Sequence, residues 1–452
     1  MTFDSLVVGR VVTPGAVVPD GWIAINGHRI AALGSGPRPA ARRLHDAGRA
    51  WILPGGIDAQ THAGSYWGLD GIAPTSRAAV AGGVTTMVDM PFDTPAPLST
   101  VALFDDKRRA IECDAVCDVA LYGTIAPGQD TRAMAPLAAA GVCAFKISVC
   151  ESHPTRFPRI PADQQLDILR EAGILGLPVG LHNEDQEIVR ASTARVRAEG
   201  LGANPLLSHD ACRPEAAELA ATALFTELAG AASAHAHIVH VSTPRGFDLL
   251  ARERQAGRRA TGEICVHYLV FDPQECGEAQ GAKLKVNPPL RPGVREALWQ
   301  RVAAGEVTCI SSDHSTMSLA NKSAGTFFDA GPGMPGLETM IPAFFTGAEA
   351  RGLDGPRLVA AHFGEKPAKL FGLWPRKGGI MIGADADLLL LEPGAFVYNS
   401  HGAQDRVGWS PYDGMRFSAR VAGTFVRGHL VWNGADVLAE AGSGRFVPRR
   451  PS

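Results

Sequence analysis

Histidine, lysine and carboxylate side chains recur in this 452-residue chain at points where an apolar, strand-like run ends. The first such point is in residues 53–62, where Asp58, Gln60 and His62 occupy alternate positions. Alternate side chains of a strand share one face, so we expect these three to point the same way. Such a strand end could present metal ligands, although this motif alone fits a solvated strand end with ordinary hydrogen bonds better.

Four further residues of these types lie at or near the ends of other predicted strands: Lys146, His182, His240 and Asp313. Imidazole and carboxylate groups are common protein ligands of zinc and related divalent ions. A single histidine at a strand end usually makes only hydrogen bonds, and a single lysine is usually a surface charge. Because several such residues occur at successive strand ends, the sequence predicts a metal site.

The elements that must position these residues alternate between strand-like and helical segments. Eight segments are predicted to be strands: 51–57, 84–88, 116–122, 142–147, 178–182, 237–241, 260–266 and 307–312. Eight strands alternating with helices predict an α/β fold of the (β/α)₈ (TIM) barrel type, whose chemistry lies at the carboxyl ends of the strands. An open sheet with helices on both faces is the alternative.

Both ends of the chain contain short strand-like runs separated by turn sequences. We predict that residues 1–50 and 371–452 form one small, discontinuous β-sandwich domain, and that residues 51–370 form the barrel inserted between them. Residues 446–452 are rich in arginine and proline and are expected to be loosely ordered.

Composition narrows the class of protein. The chain has 46% hydrophobic and 20% charged residues, and 43 basic against 46 acidic side chains give a net charge of −3. This balance argues against a nucleic-acid-binding surface. No apolar run reaches the ~18 residues of a membrane span, and the first residues do not resemble a secretory signal. Eight scattered cysteines indicate a reduced protein. We therefore expect a soluble, cytoplasmic protein that binds neither nucleic acid nor membrane.

The strand-end motifs also carry a family resemblance. Residues 54–62, Pro-Gly-Gly-Ile-Asp-Ala-Gln-Thr-His, are similar to the Pro-Gly-x-x-Asp-x-His-x-His motif of the cyclic-amidohydrolase branch of the amidohydrolase superfamily. This branch includes dihydropyrimidinases, hydantoinases, allantoinases and dihydroorotases. The resemblance covers nearly the whole chain in the family's order, through residues 81–91, 145–146, 182–184, 238–242, 263–269, 285–291, 312–315, 336–339 and 383–388.

The resemblance implies roles for these residues. Lys146 would be carbamylated and would bridge two divalent metals, usually zinc, with manganese as a possibility. His182 and His240 would bind the second metal, and His62 and Asp313 the first. Metal-hydroxide attack would open a cyclic amide, and Asp313 would act as general acid/base by carrying the proton to the leaving nitrogen.

The resemblance also bears on substrate and assembly. Allantoin, hydantoin and dihydropyrimidines are the substrates it implies, with contacts near Asn287 and Cys265, and relatives are often homo-tetramers or dimers. The loop 148–152 lacks the tyrosine that dihydropyrimidinases and hydantoinases carry there. Segments that look more like allantoinases are 125–128, 157–158, 410–414 and 424–428.

One position departs from the family pattern. Gln60 replaces the first histidine of the His-x-His pair, and an amide oxygen is a weak zinc ligand beside an imidazole. Three hypotheses remain. The first metal could bind weakly, the protein could be a one-metal hydrolase that uses Lys146, His182 and His240, or it could be an inactive barrel retained for binding or assembly. A serine hydrolase would need a Gly-x-Ser-x-Gly elbow, whose spacing residues 34–36 do not provide.

Overall fold

The computed structural model describes residues 2–323 and 325–450, whose strands form two sheets. The strands are β1 (Phe3–Val12), β2 (Val17–Asn26), β3 (Arg29–Ser35), β4 (Ala41–Pro54), β5 (Gly56–His62), β6 (Val84–Asp89), β7 (Asp118–Gly123), β8 (Ala144–Ser148), β9 (Pro178–His182), β10 (His235–Ile238), β11 (Ala260–Cys265), β12 (Cys309–Ser311), β13 (His314–Ser315), β14 (Leu388–Val397), β15 (Arg416–Val426) and β16 (His429–Trp432). Strands β5 to β13 belong to one sheet and the others to the second.

Helices occupy most of the connections between the strands of the first sheet, and also the segment that leads from this sheet to β14. They are α1 (Ile72–Ala81), α2 (Val101–Asp114), α3 (Met134–Ala140), α4 (Ala162–Leu175), α5 (Gln186–Glu199), α6 (Pro205–Cys212), α7 (Glu215–Ala231), α8 (Pro244–Gln255), α9 (Val266–Val270), α10 (Pro273–Gln280), α11 (Arg295–Ala303), α12 (Leu319–Lys322), α13 (Met340–Glu349), α14 (Gly355–Ala360) and α15 (Lys366–Leu370). None of the helices in the described residues is long and apolar enough to cross a membrane.

The first sheet closes into a barrel through its eighth strand, which is interrupted. The part before the break, β12, pairs in parallel with β11, and the part after it, β13, pairs in parallel with β5. Ser312 and Asp313 form the break, and the φ of Asp313 is 49°. Parallel strands buried on both faces need helices outside them, and β6 to β9 are buried along their whole length. The predicted TIM barrel is confirmed.

The second sheet joins both ends of the chain. Its order is β16-β15-β14-β4-β1-β2-β3, with β14 antiparallel to β4. Apolar side chains from its two halves share one core, which includes Val7, Ile23, Ile52, Leu388 and Phe425. This is the expected small β-sandwich built from both termini.

The predicted strand 51–57 was wrong in one respect, because it spans two strands. Residues up to Pro54 belong to β4 of the small domain, and the barrel strand β5 begins at Gly56. At Gly55, between them, a Cβ atom would lie 2.4 Å from the Thr85 side chain, so the chain passes there only without a side chain. Both flanking segments are buried. A continuous apolar run has no periodicity that would show where one strand ends and the next begins.

A buried charge cluster joins the two domains. Lys377 Nζ lies 2.8 Å from an Asp387 oxygen and 3.0 Å from an Asp385 oxygen, and it also pairs with Asp118 at the start of β7. Nearby, the chain end is held against β7, because Val447 N donates to Val119 O at 2.8 Å and Val447 is fully buried. The expectation of a loosely ordered tail was therefore wrong for residues 446–450, and the prediction for 451–452 lies outside the described residues.

Candidate active site

The carboxyl ends of the barrel strands surround a cavity of about 190 Å³. All six residues predicted for the metal site line it, together with side chains from the loops above. The lining residues are Gln60, His62, Ser65, Tyr66, Phe92, Lys146, Ser152, His153, Arg156, Phe157, His182, His240, Asn287, Asp313, Ser315, Pro332 and Gly333. The fold thus brings together residues that lie up to about 250 positions apart in the chain, as the strand-end argument requires.

Asp313 forms one group of polar contacts in this cavity with the end of β5. Gln60 Nε2 donates to Asp313 Oδ1 at 2.8 Å, and His62 Nε2 lies 3.2 Å from the same oxygen. Burial alone would raise the pKa of the Asp313 carboxyl, but the hydrogen bond and charge of His62 outweigh it and hold that pKa below its ordinary value. Asp313 is therefore a carboxylate at neutral pH and can accept a proton.

His182 and His240 form the second group. His182 Nδ1 lies 2.9 Å from His240 Nε2, and burial lowers the pKa of both imidazoles. Neutral imidazoles are the form that binds metal ions. The φ of His240 is 42°, and His240 and Asp313 are two of the five non-glycine residues in the described chain with positive φ. Backbone strain of this kind concentrates at functional sites.

Lys146 is buried near both groups, and it has no counter-ion among the residues the structure describes. Its Nζ lies 3.9 Å from Met90 Sδ and 6.0 Å from the centre of the Phe92 ring. Burial lowers the pKa of the Lys146 amine to about 8, although the charges of Glu263 and Asp313 oppose this effect. A substantial fraction of the amine is therefore neutral near physiological pH.

The donor atoms of the cavity suit divalent metal ions. Gln60 Oε1 and His240 Nδ1 are buried without a hydrogen-bond partner among the described residues. Buried polar atoms are almost always partnered, so orphaned ones need an explanation such as a bound ion. Zinc and manganese accept nitrogen and oxygen ligands of the kinds that four residues offer here: His62, His182, His240 and Asp313.

Known proteins with similar sequence and structure act on cyclic amides. No protein-family model matches the chain. An allantoinase from Rubrobacter xylanophilus is 37% identical over 99% of this chain and 98% of its own, and an L-hydantoinase from Paenarthrobacter aurescens is 30% identical over 99% and 98%. A solved L-hydantoinase from Arthrobacter aurescens superposes with a TM-score of 0.92, at 29% identity, over 99% of this chain and 100% of that one.

The chain belongs to the cyclic amidohydrolase family. It is a hydrolase that acts on C–N bonds of cyclic amides, and the comparisons give no support to an inactive barrel. Its relatives also support dependence on a divalent metal.

The two residues of the amidohydrolase that were predicted to lie near the substrate, Asn287 and Cys265, are placed differently. Asn287 lines the cavity, and its Oδ1 lies 3.0 Å from His209 Nε2. Cys265 is fully buried, its Sγ lies 3.5 Å from Ser311 Oγ, and it is not among the cavity-lining residues. The side chain of Cys265 thus points into the barrel interior, so any contribution from this position would come from its backbone.

Asp58 differs from Gln60 and His62, with which it shares a strand face. It is fully buried and does not line the cavity, and its carboxyl oxygens accept hydrogen bonds from Ser312 N, at 2.9 Å, and from Ser312 Oγ. Burial raises the pKa of the Asp58 carboxyl to about 8. These contacts hold the break in the eighth strand, and they thereby fix the backbone beside Asp313. The alternation of residues in β5 indicated that these three side chains share one face, but not that Asp58 is buried outside the cavity lining.

Several cavity residues of the amidohydrolase carried no recognisable sequence pattern. Tyr66 OH donates to Pro332 O at 3.2 Å, and burial raises the Tyr66 pKa to about 12. His153, Arg156 and Phe157 come from the loop after β8. They occupy irregular loops, where neither periodicity nor strand-end position indicates function. For this loop the sequence offered two clues, the absence of the family tyrosine from residues 148–152 and the allantoinase-like residues 157–158.

Two other buried groups offer metal-type ligands but are satisfied by protein partners. The ligand atoms of His237, Glu263 and Cys309 lie within 4.8 Å of one another inside the barrel. There Glu263 Oε1 accepts from Ser311 Oγ at 2.8 Å, and Glu263 Oε2 lies 3.3 Å from His237 Nε2. The other group, Asp118, Asp385 and Asp387, surrounds the Lys377 ammonium. The ligand atoms of both groups thus already have protein partners.

A buried ion pair supports His182 from outside the cavity. His182 Nε2 lies 2.8 Å from Glu184 Oε2, and Arg213 donates to both Glu184 oxygens at 2.8 and 2.7 Å. Burial would raise the pKa of the Glu184 carboxyl, but the charge of Arg213 and the hydrogen bond with His182 hold it far below its ordinary value. This chain of contacts fixes the His182 ring, as outer partners of metal-binding histidines commonly do.

Glu184→Gln is expected to lower the free energy of unfolding by about 3–5 kcal/mol, because it leaves the buried Arg213 without a counter-ion. A carboxyl whose pKa is lowered in the folded state stabilises that state at pH values above its unfolded pKa of about 4.3. This contribution to stability is lost as the pH falls below that value towards the folded pKa. Denaturant unfolding between pH 7 and pH 3 should therefore show a steeper acid loss in the wild type. Glu187→Gln, which removes an exposed pair with Arg159, is the control; equal effects from both variants would contradict the assignment.

Proposed function

We propose that this protein is a divalent-metal-dependent amidohydrolase that opens the ring of a cyclic ureide of the allantoin or hydantoin type. One observation carries the proposal: His62, Lys146, His182, His240 and Asp313 all line a single cavity. The similarity to an allantoinase over nearly the full chain favours an allantoin-like ring.

When bound, divalent ions polarise an amide carbonyl and make water more acidic. His182 and His240 would hold one ion, and His62 and Asp313, with weak help from Gln60, the other. Lys146, as a carbamate, would be a ligand of both ions. Its buried amine, with a pKa of about 8 and no counter-ion in the described chain, supports this role, because only a neutral amine reacts with carbon dioxide.

Asp313 would move the proton in the reaction. Its carboxylate is ionised at neutral pH, so it can accept a proton from the attacking water and deliver that proton to the leaving ring nitrogen. Its contacts with Gln60 and His62 hold it over the cavity in the strained conformation at the strand break. Zinc is the preferred ion in this proposal and manganese the second.

The assay that tests this function uses protein expressed with zinc or manganese and bicarbonate and purified without chelator. We expect ring opening of allantoin, hydantoin or dihydrouracil, and loss of this activity after the metal is removed. Hydrolysis of none of them by metal-replete protein, or hydrolysis unaffected by chelation, would contradict the proposal. We also propose a cytoplasmic homo-oligomer, dimer or tetramer; none of the eight cysteines forms a disulfide, which suits a reducing compartment.

Gln60→His is expected to raise the metal content, from about one towards about two ions per chain. In the wild type the Gln60 amide donates to Asp313 Oδ1 and occupies an oxygen that the first ion needs, whereas a neutral imidazole offers a nitrogen ligand. Elemental analysis of both proteins, loaded identically, measures the change. Gln60→Leu, which offers no ligand, is the matched control and should bind no more metal than the wild type. Unchanged metal content in Gln60→His would contradict a weakened first site.

A further inference from the structure

The wall of the cavity contributed by the loop after β8 is a tight turn, which we call the 152–157 hairpin. His153 and Phe157 bond to each other through their backbones, with N···O distances of 3.2 and 3.0 Å. The Phe157 ring packs against Phe92 and meets the His182 ring edge-to-face at 5.7 Å between centroids. The hairpin is therefore fixed beside the candidate metal residues, and Ser152, His153 and Arg156 also line the cavity.

Arg156 is the cation of this hairpin that lines the cavity. Its Nη1 donates to two backbone carbonyls, Ser65 O at 2.6 Å and Phe92 O at 3.5 Å. It makes no ion pair with any described residue, and its Nε and Nη2 groups have no hydrogen-bond partner among them. The side chain is half-buried. A partly desolvated guanidinium is normally paired with an anion. Arg156 therefore brings to the cavity lining a charge that no described carboxylate compensates.

The neighbours of Arg156 on this wall are also donors. His153 Nδ1 accepts from the backbone N–H groups of Thr155, at 3.3 Å, and Arg156, at 3.2 Å. In neutral histidine the proton must then lie on Nε2, which makes this atom a donor. Ser152 adds a hydroxyl. Among the residues that line the cavity the only carboxylate is Asp313, which is bonded to Gln60 and His62.

We propose that Arg156 determines substrate specificity, and that the cavity selects cyclic amides whose ring substituent carries a carboxylate. This inference rests on the proposed function and narrows its substrate class. A guanidinium binds a carboxylate through paired, charge-assisted hydrogen bonds, which a neutral substituent of the same shape forms more weakly. The free Nε and Nη2 groups of Arg156 supply such a pair of donors, while its Nη1 stays anchored to the Ser65 carbonyl.

The test compares two ligands of nearly equal shape, hydantoin-5-acetic acid and its neutral primary amide, with metal-loaded protein. Affinity is measured by calorimetry and ring opening by kcat/KM. We expect the wild type to prefer the acid by about tenfold or more in affinity. Arg156→Gln should abolish this preference, because it weakens binding of the acid more than binding of the neutral amide, and Arg156→Lys should restore part of the preference. Arg159→Gln removes a nearby positive charge that does not line the cavity, and it should keep the preference.

Two outcomes would overturn the inference. One is equal binding of acid and amide by the wild type. The other is an equal loss for both ligands in Arg156→Gln, which would mean that Arg156 only supports the loop through Ser65. If instead the proposed function is wrong, metal-replete protein will hydrolyse neither ligand. A preference for the acid that disappears in Arg156→Gln would still support the specificity assignment in that case, because affinity is measured independently of turnover.

Discussion

Asp313→Asn is expected to reduce ring opening by about 10²–10⁴-fold while the ion held by His182 and His240 stays bound. The carboxylate is the one group of the cavity lining that is ionised and able to accept a proton, and its pKa is held low by His62. Asparagine has nearly the same shape and tolerates the φ of 49° at this position, so the strand break should survive. Turnover and metal content of the purified variant measure the two effects separately.

Asp313→Ala extends this test. Alanine lacks both the proton acceptor and the metal-binding oxygen, so we expect no measurable turnover but continued binding of the second ion. The control is Ser315→Ala, which removes a cavity-lining hydroxyl outside the proposed proton path. This variant should retain most activity. Normal turnover in Asp313→Ala would show that another group acts as the general base.

Lys146→Met is expected to remove most bound metal and to lower turnover by about 10³-fold or more, because the proposed carbamate between the two ions is lost. The change should not destabilise the fold. Lys146 has no ion pair among the described residues, its nearest polar contact is Met90 Sδ at 3.9 Å, and methionine has a similar volume. We therefore expect a free energy of unfolding within about 1.5 kcal/mol of the wild type.

The carbamate itself can be measured. With ¹³C-labelled bicarbonate, the wild type should give a carbamate carbon signal that is missing from Lys146→Met, and its activity should depend on bicarbonate during metal loading. Lys107→Met is an informative contrast, because that buried lysine pairs with Asp89 and Asp93 and its loss should destabilise the fold. A Lys146→Met protein that retained metal and activity would exclude the bridging role.

The sequence by itself determined the barrel, the small domain built from both termini and the six residues that meet in the cavity. The physical reason is local. Strand alternation places Gln60 and His62 on one face, and the closing of parallel strands into a barrel gathers Lys146, His182, His240 and Asp313 at one end. The resemblance to cyclic amidohydrolases added the roles of these residues, and the comparisons agree with the family.

Only the tertiary structure decided what surrounds these residues. It placed Gln60 against Asp313 and isolated Lys146 from counter-ions. It also buried Asp58 against the strand break and Cys265 beside Ser311. It also placed Arg156 over the cavity. These features depend on contacts between segments far apart in the chain and on irregular loops. Sequence periodicity reports which face of an element is buried, but not which distant side chain it meets.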